Sequence, residues 1–279
     1  MLVAYGMKVG AKLMLKGKPK LAVPYLGRPV NYWRSVEYGL ISDAAGFRAG
    51  DRVLDIGSPK LLSLYLAKVV GAEVFATDID DYFVERQQAV AAAEGVPADR
   101  LHISVEDGRE LSFSDNHFDK VYSLSVLEHI PDDGDMACIK EIARVLVPGG
   151  ECYLTVPFWT ESRTDFIDEN AVYWSRHSVA SADGKVFYQR RYSEDDLFQR
   201  LITPSGLELK DLKFVGEKVM TESEGEFSDH LPLLSGPIQP LLSKLLHTKP
   251  ADSWRSLKKP LCALVVLHKP GGTGSMVMG

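Results

Sequence analysis

Cysteine is scarce in this chain: Cys138, Cys152 and Cys262 are all that its 279 residues contain, and they lie too far apart to suggest a disulfide framework or a cysteine-ligated zinc site. The sequence therefore points to a reducing, cytoplasmic setting and offers no metal site. No apolar run reaches the roughly 18 to 20 residues needed to cross a bilayer, and the opening residues lack the uninterrupted apolar core of a signal peptide. An excess of positive charge is missing too. With a net charge of −6 and no recognisable RNA- or DNA-binding module, the chain is ill suited to nucleic acid, which is held through clustered Lys and Arg. No internal repeat is found.

What is present is a chain long and apolar enough for one large α/β domain with additions or for two small domains. From about residue 50 to 157, short β-rich runs alternate with helical patterns, as in a parallel sheet with crossover helices. Strands are predicted at Arg52 to Ile56, Glu73 to Thr77, Leu101 to Ser104, Lys120 to Leu124 and Glu151 to Val156. Helices are predicted over Leu61 to Val70, Tyr82 to Glu94 and Asp135 to Leu146, and a leading helix over 31–47. Beyond 157 the pattern loosens. Residues 158–188 read as a long loop or insertion, Ser193 caps a helix through Ile202, and late strands follow near Leu207 to Val215 and Leu261 to Leu267.

The stretch "VLDIGSPKLLSLYLA", residues 53–67, runs from an apolar strand through Asp55, Ile56 and Gly57 into a helix. That places a tight turn at the carboxyl edge of the sheet, where open α/β folds bind ligands. Gly57 lets backbone approach a ligand closely, so a branched side chain there is expected to block ligand entry more than folding. Pro59 and Leu61 stand where a dinucleotide turn would carry later glycines, and a pyrophosphate would lose its donor-rich loop. The second strand ends at Thr77, Asp78, Ile79 and Asp80. There Asp78 can accept both hydroxyls of a ribose, and Asp80 can cap the following helix.

Residues 97–157 contain Asp107, "LSFSDNHFDKV", "LEHI" and "KEIARVLVPGG" in that order. With Asp55, Gly57 and Asp78, these pieces resemble the class I S-adenosylmethionine-dependent methyltransferase family over about residues 50–157. The resemblance implies a Rossmann-like, seven-stranded, mostly parallel sheet with helices on both faces and the last strand antiparallel. It implies S-adenosylmethionine as cofactor, with Asp107 accepting the adenine amine, the Gly108 amide facing a ring nitrogen, and Ser123 and Leu124 under the methionine portion. Ser58 can meet the cofactor carboxylate beside Gly57, as can Lys60. His129, on the turn after the fourth strand, is read either as a base or as part of the pocket wall.

The implied activity is in-line methyl transfer to a small molecule, with a lipophilic one among the candidates. A degenerate binding or scaffold protein of the same fold is the alternative, and a nucleotide-dependent oxidoreductase is the next. The domain reading is a basic helical extension over 1–48, a cofactor-binding core over 49–157, a substrate-pocket elaboration completing the sheet over 158–269, and a disordered Gly-rich tail over 270–279. Pocket candidates in the elaboration are Trp159, Tyr173, Trp174, His177 and Gln189 to Tyr192, with His177 the preferred base if oxygen is methylated. Arg190 or Arg191 is available for an anionic substrate group. The apolar stretch 230–247 is either a lid or a packed segment.

The charge is lopsided. Lys8, Lys12, Lys16, Lys18, Lys20, Arg28 and Arg34 all precede the first acidic residue, Glu37. Such a segment either docks as a helix over the substrate pocket, apolar face inward and lysines solvated, or makes peripheral contact with an anionic membrane.

Overall fold

The computed structural model describes residues 1–57, 61–168, 184–218, 236 and 238–271. Its centre is a seven-stranded sheet in the order β3-β2-β1-β4-β5-β9-β8. The strands are β1 (Arg52–Ile56), β2 (Glu73–Asp78), β3 (Leu101–Val105), β4 (Phe118–Leu124), β5 (Leu146–Pro157), β8 (Glu208–Gly216) and β9 (Pro260–His268). The first five run parallel, and β9 is antiparallel to both β5 and β8.

Alternation along the strands feeds two apolar layers, as expected when both faces of a sheet are covered. In β9, Cys262, Leu264 and Val266 join one layer while Ala263, Val265 and Leu267 join the other. The first layer lies under α1 (Leu2–Leu15), α3 (Tyr32–Ala45), α4 (Leu61–Tyr65, continued as a π-turn over Leu66–Val70) and α5 (Asp81–Glu94). The second lies under α6 (Gly134–Val145) and the helical turns of 194–205.

The local signals explain these boundaries. The Asn31 side chain accepts the Arg34 amide at 2.6 Å and starts α3, and Gly46 ends it in the left-handed region. Asp80 caps α5 by accepting the Tyr82 amide at 2.9 Å. The Ser193 hydroxyl and the Asp196 carboxylate form a reciprocal capping box at the start of the 194–205 segment.

The chain ahead of α3 is folded as well. Helix α1 packs against α2 (Pro19–Gly27), α4 and α5 through Tyr5, Gly6, Val9, Gly10 and Leu13. A Cβ at Gly6 would stand 2.6 Å from the Pro29 Cβ, and one at Gly10 would stand 2.8 Å from the Leu26 Cγ. Glycine's intrinsic cost in a helix, about 1 kcal/mol relative to Ala, is thus offset here by the close approach it permits.

The segment read as a long loop or insertion, 158–188, carries regular structure that the sequence did not show. It contains β6 (Arg163–Asp168), which pairs with β7 (Lys185–Arg191) as a separate antiparallel ribbon. No residue of β6 is fully buried, and Arg163, Asp165, Gln189 and Arg191 hold the ribbon through polar contacts. An apolar period of two, the usual signature of a strand, is consequently missing from the sequence.

Candidate functional site

The carboxyl ends of β1, β2 and β3 lie side by side, and most of the cofactor residues singled out in the sequence fall there. Asp55 pairs in register with Tyr122 and is fully buried; its carboxylate accepts the Tyr122 hydroxyl at 2.7 Å. Burial and this carboxylate together push the tyrosine's pKa well above its ordinary value. Asp55 therefore ties β1 to β4 beneath the turn. Gly57 follows with φ +69°, and its amide donates to the Thr77 carbonyl at 2.8 Å. The space a Cβ would occupy is filled by Val126, whose Cγ1 would be only 2.3 Å away. Ser58, with Pro59 and Lys60, lies outside the described residues.

Asp78 closes β2, and its carboxylate accepts the Asp80 amide at 2.9 Å, an arrangement that fixes the side chain at the strand end. Asp107, just past β3, is gripped by Arg109 through Nε at 2.9 Å and Nη2 at 2.6 Å, and it also accepts the Arg109 amide. Sequence reading missed this clasp, although two residues of spacing across an Asp-Gly turn is a legible signal for it. Gly108 packs between Cys138 and Ile56.

At the end of β4, Ser123 is buried and donates to the Ile56 carbonyl at 3.2 Å, and the Leu124 carbonyl accepts Arg34 Nη1 at 2.7 Å. This contact opens a cluster reached from α3. Glu37, fully buried, receives Arg34 at 2.6 Å, the Thr155 hydroxyl at 2.8 Å and the Ser125 hydroxyl, while Trp33 Nε1 reaches Ser125 Oγ at 3.4 Å. Burial alone would lower the Arg34 pKa, but Glu37, Tyr38 and Glu128 hold it above its ordinary value. At the start of the same helix the Tyr32 hydroxyl donates to Glu217 at 3.1 Å, its amide donates to Gln239, and its ring lies 4.6 Å from that of His247. The helix Gln239–Leu246 packs on α3 by these contacts, which favours packing for that part of the 230–247 stretch; residues 230–235 lie outside the described residues. The extension before the core and the elaboration after it therefore meet above β4, β5 and β8.

His129 sits in the 3-10 turn Leu127–His129 beside the buried Glu128. Its Nδ1 lies 2.7 Å from the Tyr188 carbonyl, and since a carbonyl only accepts, Nδ1 carries the proton and Nε2 the lone pair in the neutral ring. His177, Tyr173 and Trp174 lie outside the described residues. The two arginines considered for an anionic substrate are engaged with the protein: Arg190 holds the carbonyls of Ile130 and Asp132, and Arg191 pairs with Asp165 at 2.7 Å beneath Trp159. Asp135, buried at the start of α6, joins this region by accepting Tyr192 at 2.9 Å and Arg200 at 2.7 Å.

A family model described as a methyltransferase domain matches residues 54–154. Tocopherol O-methyltransferase, chloroplastic, of Arabidopsis thaliana is 26% identical over 175 residues, 62% of this chain and 49% of that protein. The ubiquinone/menaquinone biosynthesis C-methyltransferase of Chromobacterium violaceum is 39% identical over 113 residues, 39% of this chain and 44% of that protein. A crystal structure of SAM-dependent methyltransferases from Methanosarcina mazei superposes with a TM-score of 0.52 at 20% identity, covering 81% of this chain and 96% of that one. Residues 54–154 thus match a methyltransferase domain, and the chain has the fold of class I methyltransferases. It spans about half the length of the curated relatives it matches.

Within the methyltransferase domain, acceptors at Asp78 and Asp107 and the left-handed turn at Gly57 follow one another along three adjacent strand ends. A carboxylate has about four acceptor sites, so the bonds Asp78 makes within the chain are compatible with ribose hydroxyls. The donor and acceptor set therefore fits an adenosine-bearing cofactor. A hollow lined by Asp51, Asp119, Lys120, Glu151 and Lys210 lies at the opposite edge of the sheet, where Lys120 pairs with Asp51 and Lys210 with Glu151.

Proposed function

We propose that the protein transfers a methyl group from S-adenosylmethionine to a small lipophilic molecule. The observation that carries this reading is the row of Gly57, Asp78 and Asp107 along β1, β2 and β3, inside the matched methyltransferase domain. When bound, the cofactor supplies a methyl group already activated on a sulfonium, so the protein's task is chiefly alignment. Asp78 holds the ribose hydroxyls, and Asp107, which shares its oxygens with Arg109, accepts the adenine amine beside the Gly108 amide. Asp55 braces the turn from beneath, Gly57 and Ser58 take the amino-acid end, and Ser123 and Leu124 form the floor.

The acceptor end is assigned to the meeting of α3 with the elaboration, where Trp33 stands against Ser125. The tocopherol and ubiquinone/menaquinone relatives bear names that support a lipophilic acceptor. If oxygen is methylated, its proton needs a base, and an amine needs only to arrive neutral. His177 and His129 are the two assigned to that role. For His129 the support is its place on the turn after β4, with Nε2 lying 3.9 Å from an oxygen of the buried Glu128.

The test is a calorimetric titration with S-adenosylhomocysteine, NAD and NADP, repeated on Asp78→Ala. Binding of the first alone is expected, weakened in the variant by about 2 to 4 kcal/mol for lost bonds to a charged acceptor. Binding of NAD or NADP instead would turn the reading to an oxidoreductase. No binding at all would leave a scaffold of the same fold.

A further inference from the structure

We infer that the outer face of α1 and α2 is a docking surface for an anionic lipid bilayer. The inner face of α1 is consumed by packing, yet the outer face keeps an apolar stripe. Ala4, Met7, Ala11 and Met14 follow the three-and-four spacing of one helical face, and all are exposed. Met7 is 40% exposed, Met14 42%, Leu15 89% and, from α2, Val23 44%. Lys8, Lys16, Lys18 and Lys20 are exposed along the same two helices. Lys12 is engaged with Glu94 at 3.4 Å and anchors α1 to the end of α5. No acidic residue occurs before Glu37, which is buried on α3, so this surface is cationic on a protein whose net charge is −6.

Interleaved lysines and apolar side chains are what an interfacial helix needs: the stripe enters the headgroup boundary while the long cationic stems reach the phosphates. A protein partner would be a poorer match, because lysine is depleted in protein interfaces. The glycines at Gly6 and Gly10 do not count against this, because the helix is folded on the domain before any lipid is met.

The experiment is co-sedimentation of the full chain with phosphatidylcholine vesicles and with vesicles containing phosphatidylglycerol, at low and high salt. One variant carries Lys8→Gln, Lys16→Gln, Lys18→Gln and Lys20→Gln, and a second carries Met14→Glu and Leu15→Glu. All six side chains are exposed, and a thermal melt confirms that each variant folds, independently of any cofactor. Salt-sensitive binding to the anionic vesicles alone is expected. The lysine variant should lose roughly fivefold in affinity for each well-placed charge removed, and the second variant should lose binding even at low salt. Equal pelleting with both vesicle types, or anionic binding unchanged in both variants, overturns the proposal. So does a concentration-dependent dimer in sedimentation velocity that the second variant dissociates and that ignores vesicles, since that result assigns the stripe to a second copy of the chain.

Discussion

Replacing Glu37 by Leu tests whether α3 is a structural member of the site. The carboxylate is fully buried and serves Arg34 at 2.6 Å, Thr155 at 2.8 Å and Ser125. Removing it leaves a largely enclosed guanidinium without its acid, and breaking a buried pair from one side costs about 3 to 5 kcal/mol. The two hydroxyls can rotate toward other acceptors, so the orphaned cation dominates. For a domain of this size roughly 2 to 4 °C is lost per kcal/mol, which places the melting point about 6 to 20 °C below that of the parent. Urea unfolding should show a lower midpoint with an unchanged slope. The double variant Arg34→Met, Glu37→Leu should recover most of the loss, because a buried pair exchanged for packed apolar groups is often neutral. A cost under about 1 kcal/mol for the single change, the range of solvated surface pairs, would refute the reasoning.

Three further outcomes are expected. Gly57→Val should destabilise the fold by about 2 to 5 kcal/mol, summing left-handed strain and overpacking against Val126; urea melts of the ligand-free protein check it, and parent-like stability would remove the argument. This reverses the order of effects expected from sequence, since the turn is crowded by the protein itself. Glu141 has its pKa held below the ordinary 4.5, first by Arg144 and then by the Leu111 amide. Its contribution is complete above the ordinary value and lost as the pH falls through the lowered one, so the stability gap between parent and Glu141→Gln should be widest near neutrality and close in strong acid. Asp135→Ala, which strands Arg200 and Tyr192, should lower the melting point more than Asp133→Ala, whose carboxylate is an exposed partner of the same arginine.

The elements legible in the sequence were those whose period or punctuation is local. The strands at Arg52–Ile56 and Glu73–Asp78 and the helices opened by Asn31, Asp80 and Ser193 fell within a residue or two of expectation. Gly57 and Asp78 could be placed at the sheet edge because a strand-to-helix turn dictates where its last residues stand. Contacts between distant segments could not be read. Nothing near Glu37 indicates that it would reach Ser125 and Thr155, 88 and 118 residues away. The ribbon β6–β7 was missed because ion pairs, which leave no periodic trace, stand in for an apolar face. The double grip of Arg109 on Asp107, by contrast, is local, an acceptor and a cation two residues apart across an Asp-Gly turn, and so was legible in principle.

The place of β9 has a consequence for how the molecule comes into being. It is the last strand among the described residues and yet lies between β5 and β8, pairing with residues as far back as Glu151. Until residues 260–268 have been synthesised, β5 has an open edge, and β8 has the local bridge of Phe214 to Ala251 but not its full partner strand. Such an unpaired edge is a template for association with other chains, and pairings distant in sequence slow the final step. The parallel core can organise while the chain is still growing, but closure waits for the C-terminal strand, so the nascent protein passes through an aggregation-exposed state that a chaperone or rapid release would shorten.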